Sequence, residues 1–534
     1  MNPQKSSLMS VERVLIDGKW RVSSGSQIFQ SVNPATRLPL PREYPVSPWA
    51  EVEQAILAAA RAAREVRDVP GEVFAKFLEC FAERIDARSG EFIATANQET
   101  GLPVEPRLKI AELPRTTNQL RQAAAAARNG GWSVPTIDSK NNIRSRLAAI
   151  GPVVVFGPNN FPYAFNSAAG GDFAAAIAAG NPVIAKGHSS HPSTTRLFAE
   201  EAFDAVKEVG LPPAFVQLIY RTSHEDGCRL VSHPAIGASG YTGARATGLV
   251  LKEAADRVGK PMYLELSSIN PICVLPGALA ERSDELAAEF TTSCLMGTGQ
   301  FCTNPGLVLL LAGPQTEAFV NAVRAKFESA PIGTMLSEGV LRNFESGIQA
   351  IVSAGAEVLA GGQAGGGNGF SFRNTLLRAS GDKFLANAHV MQTEAFGNSS
   401  LFVIAKDEAQ LLTILETLEG NLTGAIYSDT SGQDDALYSR IEPALRVRVG
   451  RLINDKMPTG VAVSPAMNHG GPFPATGHPG FTAVGIPASM RRFAMLQCYD
   501  GVRQHRLPAD LQDKNPRPGL WRSIDGQWSQ ADVG

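Results

Sequence analysis

The sequence predicts an α/β protein built on buried, mostly parallel sheets. Between residues 148 and 267, apolar runs (AAIGPVVVFG, NPVIAKG, AFVQLIY, AIGASGYTG, PMYLELS) alternate with helical segments. A second series follows, from NPICVLP through GLVLLLAG, AEVLAG and LFVIAKD to LTGAIYS. Short aliphatic runs without polar alternation suit strands covered on both faces, joined by crossover helices. The 534 residues, 44% hydrophobic and 19% charged, are also enough for two or more cores.

The elements read in order as follows. Up to about Val46 the chain is rich in Pro and turn residues, and RVLIDGKW reads as a hairpin around Asp17-Gly18. Alanine-rich helical patterns cover 49–67, 71–88 and 115–128, the last stopping at Asn129-Gly130-Gly131. Helices at 163–179, 193–209 and 244–257 separate the first strand series. Helices at 283–292, 316–329 and 338–354 accompany the second. After Leu452 the chain is irregular and rich in Gly and Pro, with a strand-like piece at 490–498 and a tail ending KNPRPGLWRSIDGQW.

Charge excludes some partners. Lys plus Arg (49) nearly balances Asp plus Glu (51), so neither nucleic acid nor an anionic membrane surface is favoured. Six cysteines without CxxC spacing make neither a disulfide framework nor a metal site. The opening MNPQKSSLMS lacks a signal pattern and no apolar run is long enough to span a bilayer, so a cytoplasmic protein is expected.

The sharpest motif is MGTGQFCTNPG, which puts Cys302 in a Gly-flanked loop before an apolar strand. Such a loop can present sulfur to a cleft, although a cysteine is more often a small buried hydrophobe; Cys273 and Cys294 take that second reading. Asn160, at a strand end in FGPNNFPYAF, can donate to a developing oxyanion, or can cap a helix starting near Tyr163. Glu265, ending the strand in YLELSSINP, can activate water, or can be a surface glutamate. Lys186, the Gly240–Gly248 turn and Glu394 in QTEAFG form a possible cofactor set. The turn YTGA leads from strand to helix, where backbone amides meet a diphosphate. The literal glycine run GGQAGGGNG (361–369) reads instead as a hairpin connection. His188 and His191 are spaced HxxH, but with no acidic or Cys ligand nearby they read as a solvated helix entry; no metal is expected.

The ordered series PNNFP, NPVIAKG, YTG…G, LELSS, GQFC and TEAFG resembles the aldehyde dehydrogenase superfamily over nearly the whole chain. The resemblance implies that family's fold: a Rossmann-like cofactor domain (1–130 and 151–266), a catalytic domain (267–484) and a small β extension used in oligomer formation (131–150 and 485–500), followed by a tail (501–534). It implies Cys302 as nucleophile, Glu265 as general base and Asn160 as oxyanion donor. Lys186 would hold the adenosine ribose, with Ser189 and Gly243 in the same site, and Glu394 the nicotinamide ribose, beside Phe396. A homodimer or homotetramer is implied.

Within the superfamily, SSINP, QFCTNPG, KGHSSHPST, RTTNQLR, HGGPFPATG and NPRPGLWRSIDG are most similar to 2-oxoglutarate semialdehyde (2,5-dioxovalerate) dehydrogenases and to NADP-dependent fatty aldehyde dehydrogenases. Ser267-Ser268 stand where the commoner pattern has Gly-Gly. Ser189 stands where many NAD-preferring relatives place a glutamate, so NADP is expected to be accepted, with Arg221 or His224 as further phosphate contacts. The aldehyde would lie between Phe161, Phe165 and Phe301, with Arg115 toward a substrate carboxylate. Rival readings are a fatty-aldehyde enzyme, a CoA-acylating dehydrogenase, a catalytically silent cofactor-binding protein and a cysteine acyl hydrolase. The hydrolase is disfavoured because no histidine stands near Cys302 in the sequence.

Overall fold

The computed structural model describes residues 11–534. Its first sheet runs Met262–Glu265, Ala238–Thr242, Val153–Phe156, Val183–Lys186 and Val216–Ile219, all parallel, and is extended by the antiparallel hairpin Val14–Ile16/Lys19–Arg21. Asp17 and Gly18 both have positive φ (52° and 69°), as the expected tight turn requires. Val153–Phe156 and Val216–Ile219 are buried along their whole length, which is why they lack the alternation of a one-faced strand.

The second sheet runs Glu357–Ala360, Thr375–Ser380, Ser399–Ala405, Leu307–Leu311, Ile272–Val274, Asn421–Tyr427 and Val449–Asn454. All its pairings are parallel except the first, whose connection is the glycine run at 361–369. A third sheet joins Ala494–Asp500, Ile143–Ala149 and Thr136–Asp138 to the tail hairpin Arg522–Ile524/Gln527–Ser529. The tail is therefore structured. Arg522, fully buried, ties it down by donating to the carbonyls of Gln512, Asp513 and Ala531.

Three elements differ from expectation. The segment 163–170 is a series of turns, and helix starts only at Gly171–Ala178. Glu112 accepts from the backbone N–H groups of Tyr163 (2.9 Å) and Ala164 (3.0 Å), and Gly170 packs so closely on Phe165 that a Cβ would lie 2.5 Å from its Cα. That tight turn leaves the Asn160 loop outside any helix. The helix expected at 283–292 is longer, Pro276–Leu295, with a break at Arg282. The strand expected at 490–498 begins at Ala494, after a 3₁₀ turn, Ala488–Phe493. No helix among the described residues is long and apolar enough to cross a membrane.

Candidate active site

A cleft of about 840 Å3 opens at the carboxyl ends of the first sheet, the usual ligand position in such sheets. It runs from Lys186, Ser189 and Arg221 past Gly243 and Ala244 to Asn160, Glu265, Cys302, Glu394 and Phe396. The residues expected at the cofactor and reaction centres thus line one continuous cleft.

Each reactive group is held by backbone geometry. Gly297, Thr298 and Gly299 all have positive φ (57°, 60° and 67°), which bends the chain sharply before Cys302. A Cβ on Gly299 would lie 2.1 Å from the carbonyl oxygen of Gly397, so only glycine fits there. Asn270 Nδ2 donates to the carbonyls of Cys302 (2.9 Å) and Asn304 (2.8 Å), fixing the far side of the loop. The Gln300 side chain accepts from Leu336 N–H at 2.8 Å, and its carbonyl accepts from Asn160 Nδ2 at 3.0 Å. Asn160, 6% exposed, therefore has its amide oriented and one N–H left for a ligand. It caps no helix.

Glu265 is the last residue of its strand and is buried, not at the surface. Its Oε1 lies 2.8 Å from His469 Nε2, and His469 Nε2 lies 3.3 Å from Cys302 Sγ. One ligand atom from each of these three residues lies within 4.8 Å of the other two. The absence of a nearby histidine in the sequence was therefore no guide: His469, 167 positions from Cys302, is brought in by the fold. The Glu265 strand bridges to Thr476, and Leu266 N–H donates to Ala475 at 2.8 Å. The HGGPFPATG segment is thereby laid across the carboxylate. Desolvation, and then the charge of Glu265, pushes the half-buried Cys302 thiol well above its ordinary value, with Arg115 opposing.

At the substrate end, Phe161 meets Phe165 and Phe301 edge-on, each at 5.3 Å between ring centroids. The Arg115 guanidinium carbon lies 5.6 Å from the Phe161 centroid and 5.4 Å from that of Phe165. Arg115 Nε and Nη2 are buried without a protein partner. Its neighbour Arg107, which sequence reading missed, has both terminal nitrogens engaged and only its Nε without a partner. It pairs with Glu112 at 2.8 Å, donates to the Asn160 carbonyl at 2.9 Å, and stacks over Phe161 at 4.3 Å. Of the two, Arg115 is the one with a terminal nitrogen to spare.

At the other end of the cleft, burial and then the Arg221 charge pull the Lys186 ammonium down to about 8. Burial pushes Glu394 up to about 7, against hydrogen bonds from Ser268 and Ser267. The histidine pair is not a solvated helix entry. His191 is 1% exposed with Nε2 2.9 Å from the Pro158 carbonyl, and His188 stacks on it at 5.3 Å between centroids. His191 braces the Asn160 loop from behind, and His188 lines the cleft.

The geometry suits dinucleotide binding. Gly243 leads into the helix Arg245–Asp256, so its first amides face the cleft. A Cβ on Gly248 would meet Leu266 at 2.6 Å and Tyr241 at 2.9 Å, so this glycine lets helix and sheet approach closely. A parallel-sheet cleft ending on a loop-held cysteine, a buried carboxylate and an amide defines enzymes that act on a carbonyl carbon through a covalent sulfur intermediate.

The chain belongs to the aldehyde dehydrogenase family, whose model matches residues 20–471. It is 37% identical to alpha-ketoglutaric semialdehyde dehydrogenase 2 of Azospirillum brasilense, over 95% of this chain and 98% of that one. It is 36% identical to alpha-ketoglutaric semialdehyde dehydrogenase of Acinetobacter baylyi, over 96% and 97%. The crystal structure of PnpE from Pseudomonas sp. WBC-3, also solved with nicotinamide adenine dinucleotide, superposes with a TM-score of 0.79 at 21% identity, covering 92% of this chain and 99% of that one. That last likeness is one of fold.

Proposed function

We propose that this NAD(P)-dependent aldehyde dehydrogenase oxidises 2-oxoglutarate semialdehyde (2,5-dioxopentanoate) to the dicarboxylate, with NADP as the favoured cofactor. The observation that carries the substrate reading is Arg115, a guanidinium with two partnerless buried nitrogens beside an otherwise aromatic pocket. Arginine stays charged even where burial lowers its pKa, as here, so it calls for an anion at the far end of the aldehyde. The names of the two relatives point to the same compound. A fatty-aldehyde enzyme would have no use for that charge.

The residues divide the chemistry between them. Cys302 Sγ attacks the aldehyde carbon to give a thiohemiacetal, whose oxyanion accepts hydrogen bonds from the free N–H of Asn160 and from backbone. When bound, the nicotinamide supplies the acceptor for the hydride that leaves this carbon. Glu265 Oε2 is buried without a protein partner and takes a proton from the water that cleaves the thioester. Lys186, Ser189, Gly243, Glu394 and Phe396 would hold the dinucleotide. Ser189 leaves room for a 2′-phosphate near Lys186 and Arg221. On this reading 1–130 with 151–266 form the cofactor domain and 267–484 the catalytic domain. The chain works in the cytoplasm as a homodimer or homotetramer joined through the third sheet, whose edge strand exposes Met495 and Leu496.

The test is reduced-cofactor formation with NADP and NAD on 2-oxoglutarate semialdehyde, succinate semialdehyde and long-chain aldehydes, with Cys302→Ala as control. The highest kcat/KM belongs to the oxo-acid semialdehyde with NADP. Preference for long apolar aldehydes would discard the substrate assignment and leave the sulfur chemistry standing.

A further inference from the structure

One nitrogen faces two acids in this site. His469 Nε2 lies 3.3 Å from Cys302 Sγ and 2.8 Å from Glu265 Oε1, and the residue is 2% exposed. The ring has little freedom. His469 N–H donates to Thr482 Oγ1 at 2.7 Å, its carbonyl accepts from Ala483 N–H at 2.9 Å, and Phe165 packs on the imidazole at 5.6 Å between centroids. A buried carboxylate oxygen 2.8 Å from a ring nitrogen needs a hydrogen between them. With Glu265 ionised, that hydrogen is the one on Nε2, and it can also be shared with sulfur.

We propose that His469 is a catalytic residue whose single Nε2–H serves the Cys302 thiolate before the thioester forms and the Glu265 carboxylate afterwards. This rests on the cysteine mechanism above but not on the identity of the aldehyde.

The proton accounting closes. In the first half the Cys302 S–H bond breaks and its proton passes to Glu265, which releases it to solvent; Nε2–H turns to the sulfur anion. Sulfur then bonds to the aldehyde carbon, and once the thioester has formed it carries no charge to hold the hydrogen bond. Nε2–H returns to Glu265 Oε1, keeping it a carboxylate with Oε2 free. In the second half Glu265 takes a proton from water, the hydroxyl joins the acyl carbon, and the C–S bond breaks with its electron pair returning to sulfur. Nε2–H meets the thiolate again, and Glu265 hands its proton back to make the thiol.

The charges facing this sulfur show why a donor is needed. Glu265 and Glu394 both disfavour a thiolate, while Arg115 and Arg451 favour it. Arg451 is already donating to the carbonyls of Pro458 and Gly460. Arg115, on the proposed reading, is committed to the substrate. The imidazole N–H is the donor left for sulfur. A hydrogen bond to an ion is worth enough to move a thiol midpoint by about one to two pH units.

The experiment is iodoacetamide alkylation of the full-length enzyme between pH 5 and 10, without cofactor or aldehyde. The Cys302 peptide is followed by mass spectrometry, with Cys302→Ala as blank. His469→Phe should raise the alkylation midpoint by about one to two units and slow modification about 10- to 100-fold at pH 7.5. His469→Gln, which keeps an N–H but no titratable nitrogen, should recover most of that loss. A wild-type profile in His469→Phe would overturn the proposal. So would a His469→Gln that behaves like His469→Phe, since ring basicity and not donation would then be operating. If His469→Phe does not fold, neutron diffraction from the wild-type enzyme decides, because a bare Nε2 beside Glu265 contradicts the assignment. Failure of the substrate reading would leave all these readouts unchanged.

Discussion

Replacing Arg115 by leucine separates binding from stability in a way that few substitutions at an active site do. In the wild type the guanidinium is taken out of water with Nε and Nη2 buried and no protein partner hydrogen-bonded to them, the charge of Glu112 offsetting only part of that burial. Leucine of comparable girth removes that desolvation and keeps an apolar surface against Phe161 and Phe165. The expected effect on stability is neutral to favourable, on the order of 1 kcal/mol. The effect on substrate runs the other way. A carboxylate bound by two charge-assisted hydrogen bonds in a desolvated pocket loses about 3 kcal/mol when both go, somewhat over a hundredfold in kcat/KM. Most of this falls on KM, because the carboxylate is remote from the reacting carbon and contributes alike in ground and transition states. The assay compares kcat/KM for 2-oxoglutarate semialdehyde with that for an uncharged aldehyde of similar length, alongside a thermal melt. Loss on the first, gain or no change on the second, and an unchanged or raised Tm is the predicted pattern. An unchanged KM for the carboxylated aldehyde would refute the reasoning, since the pull of Arg115 on the Cys302 sulfur acts on both aldehydes alike and only carboxylate binding separates them.

Three further outcomes follow from the cleft and the core. Ser189→Glu sets a carboxylate near the place where a 2′-phosphate would sit; kcat/KM for NADP should fall at least about tenfold while that for NAD holds or rises, measured by initial rates with each cofactor. Burial, and then the Arg221 charge, pulls the Lys186 ammonium down to about 8. Its ammonium is present below that pH and lost above it, so KM for NADP should climb by up to about tenfold per pH unit above 8, with a weaker rise for NAD; parallel curves would mean that Lys186 does not touch the phosphate. Arg492 and Asp172 form a buried pair at 2.6 Å, with side chains 5% and 10% exposed. Arg492→Ala leaves the carboxylate stranded and should cost about 3–5 kcal/mol in denaturant unfolding; a loss below about 1 kcal/mol would show that water reaches Asp172.

What could be read from the sequence shares one property: its chemistry depends on a local backbone feature. A buried parallel strand announces itself as an aliphatic run, so the strand ends carrying Asn160, Lys186 and Glu265 could be located before any coordinates. The Cys302 loop was legible because its sharp bend needs Gly297 and Gly299 at positive φ, and Gly299 has the Gly397 carbonyl against it. Where reading failed, the determinant lay elsewhere in the chain. The 163–170 segment has a helical composition, yet a carboxylate 51 positions upstream, Glu112, captures its first amides and holds it in turns. His191 looked solvated because nothing in HSSHPST shows that the Pro158 carbonyl will meet its ring.

His469 is the sharpest case, because it changes how the rival reading must be weighed. A cysteine acyl hydrolase was set aside for want of a histidine, and the fold supplies one at 3.3 Å. That ground no longer holds, and the argument against hydrolysis without redox chemistry has to come from what else the histidine does. In a hydrolytic triad one ring nitrogen faces the nucleophile and the other faces the orienting acid, so that proton transfer and orientation proceed at opposite edges of the imidazole. Here the same Nε2 faces both Cys302 and Glu265. A nitrogen already giving its hydrogen to a carboxylate has no lone pair for the thiol proton, so His469 is badly placed as a base for sulfur and well placed as a donor to it. The base must then be Glu265, whose Oε2 is free, and a carboxylate base next to a thioester beneath a dinucleotide-sized cleft suits oxidation followed by hydrolysis.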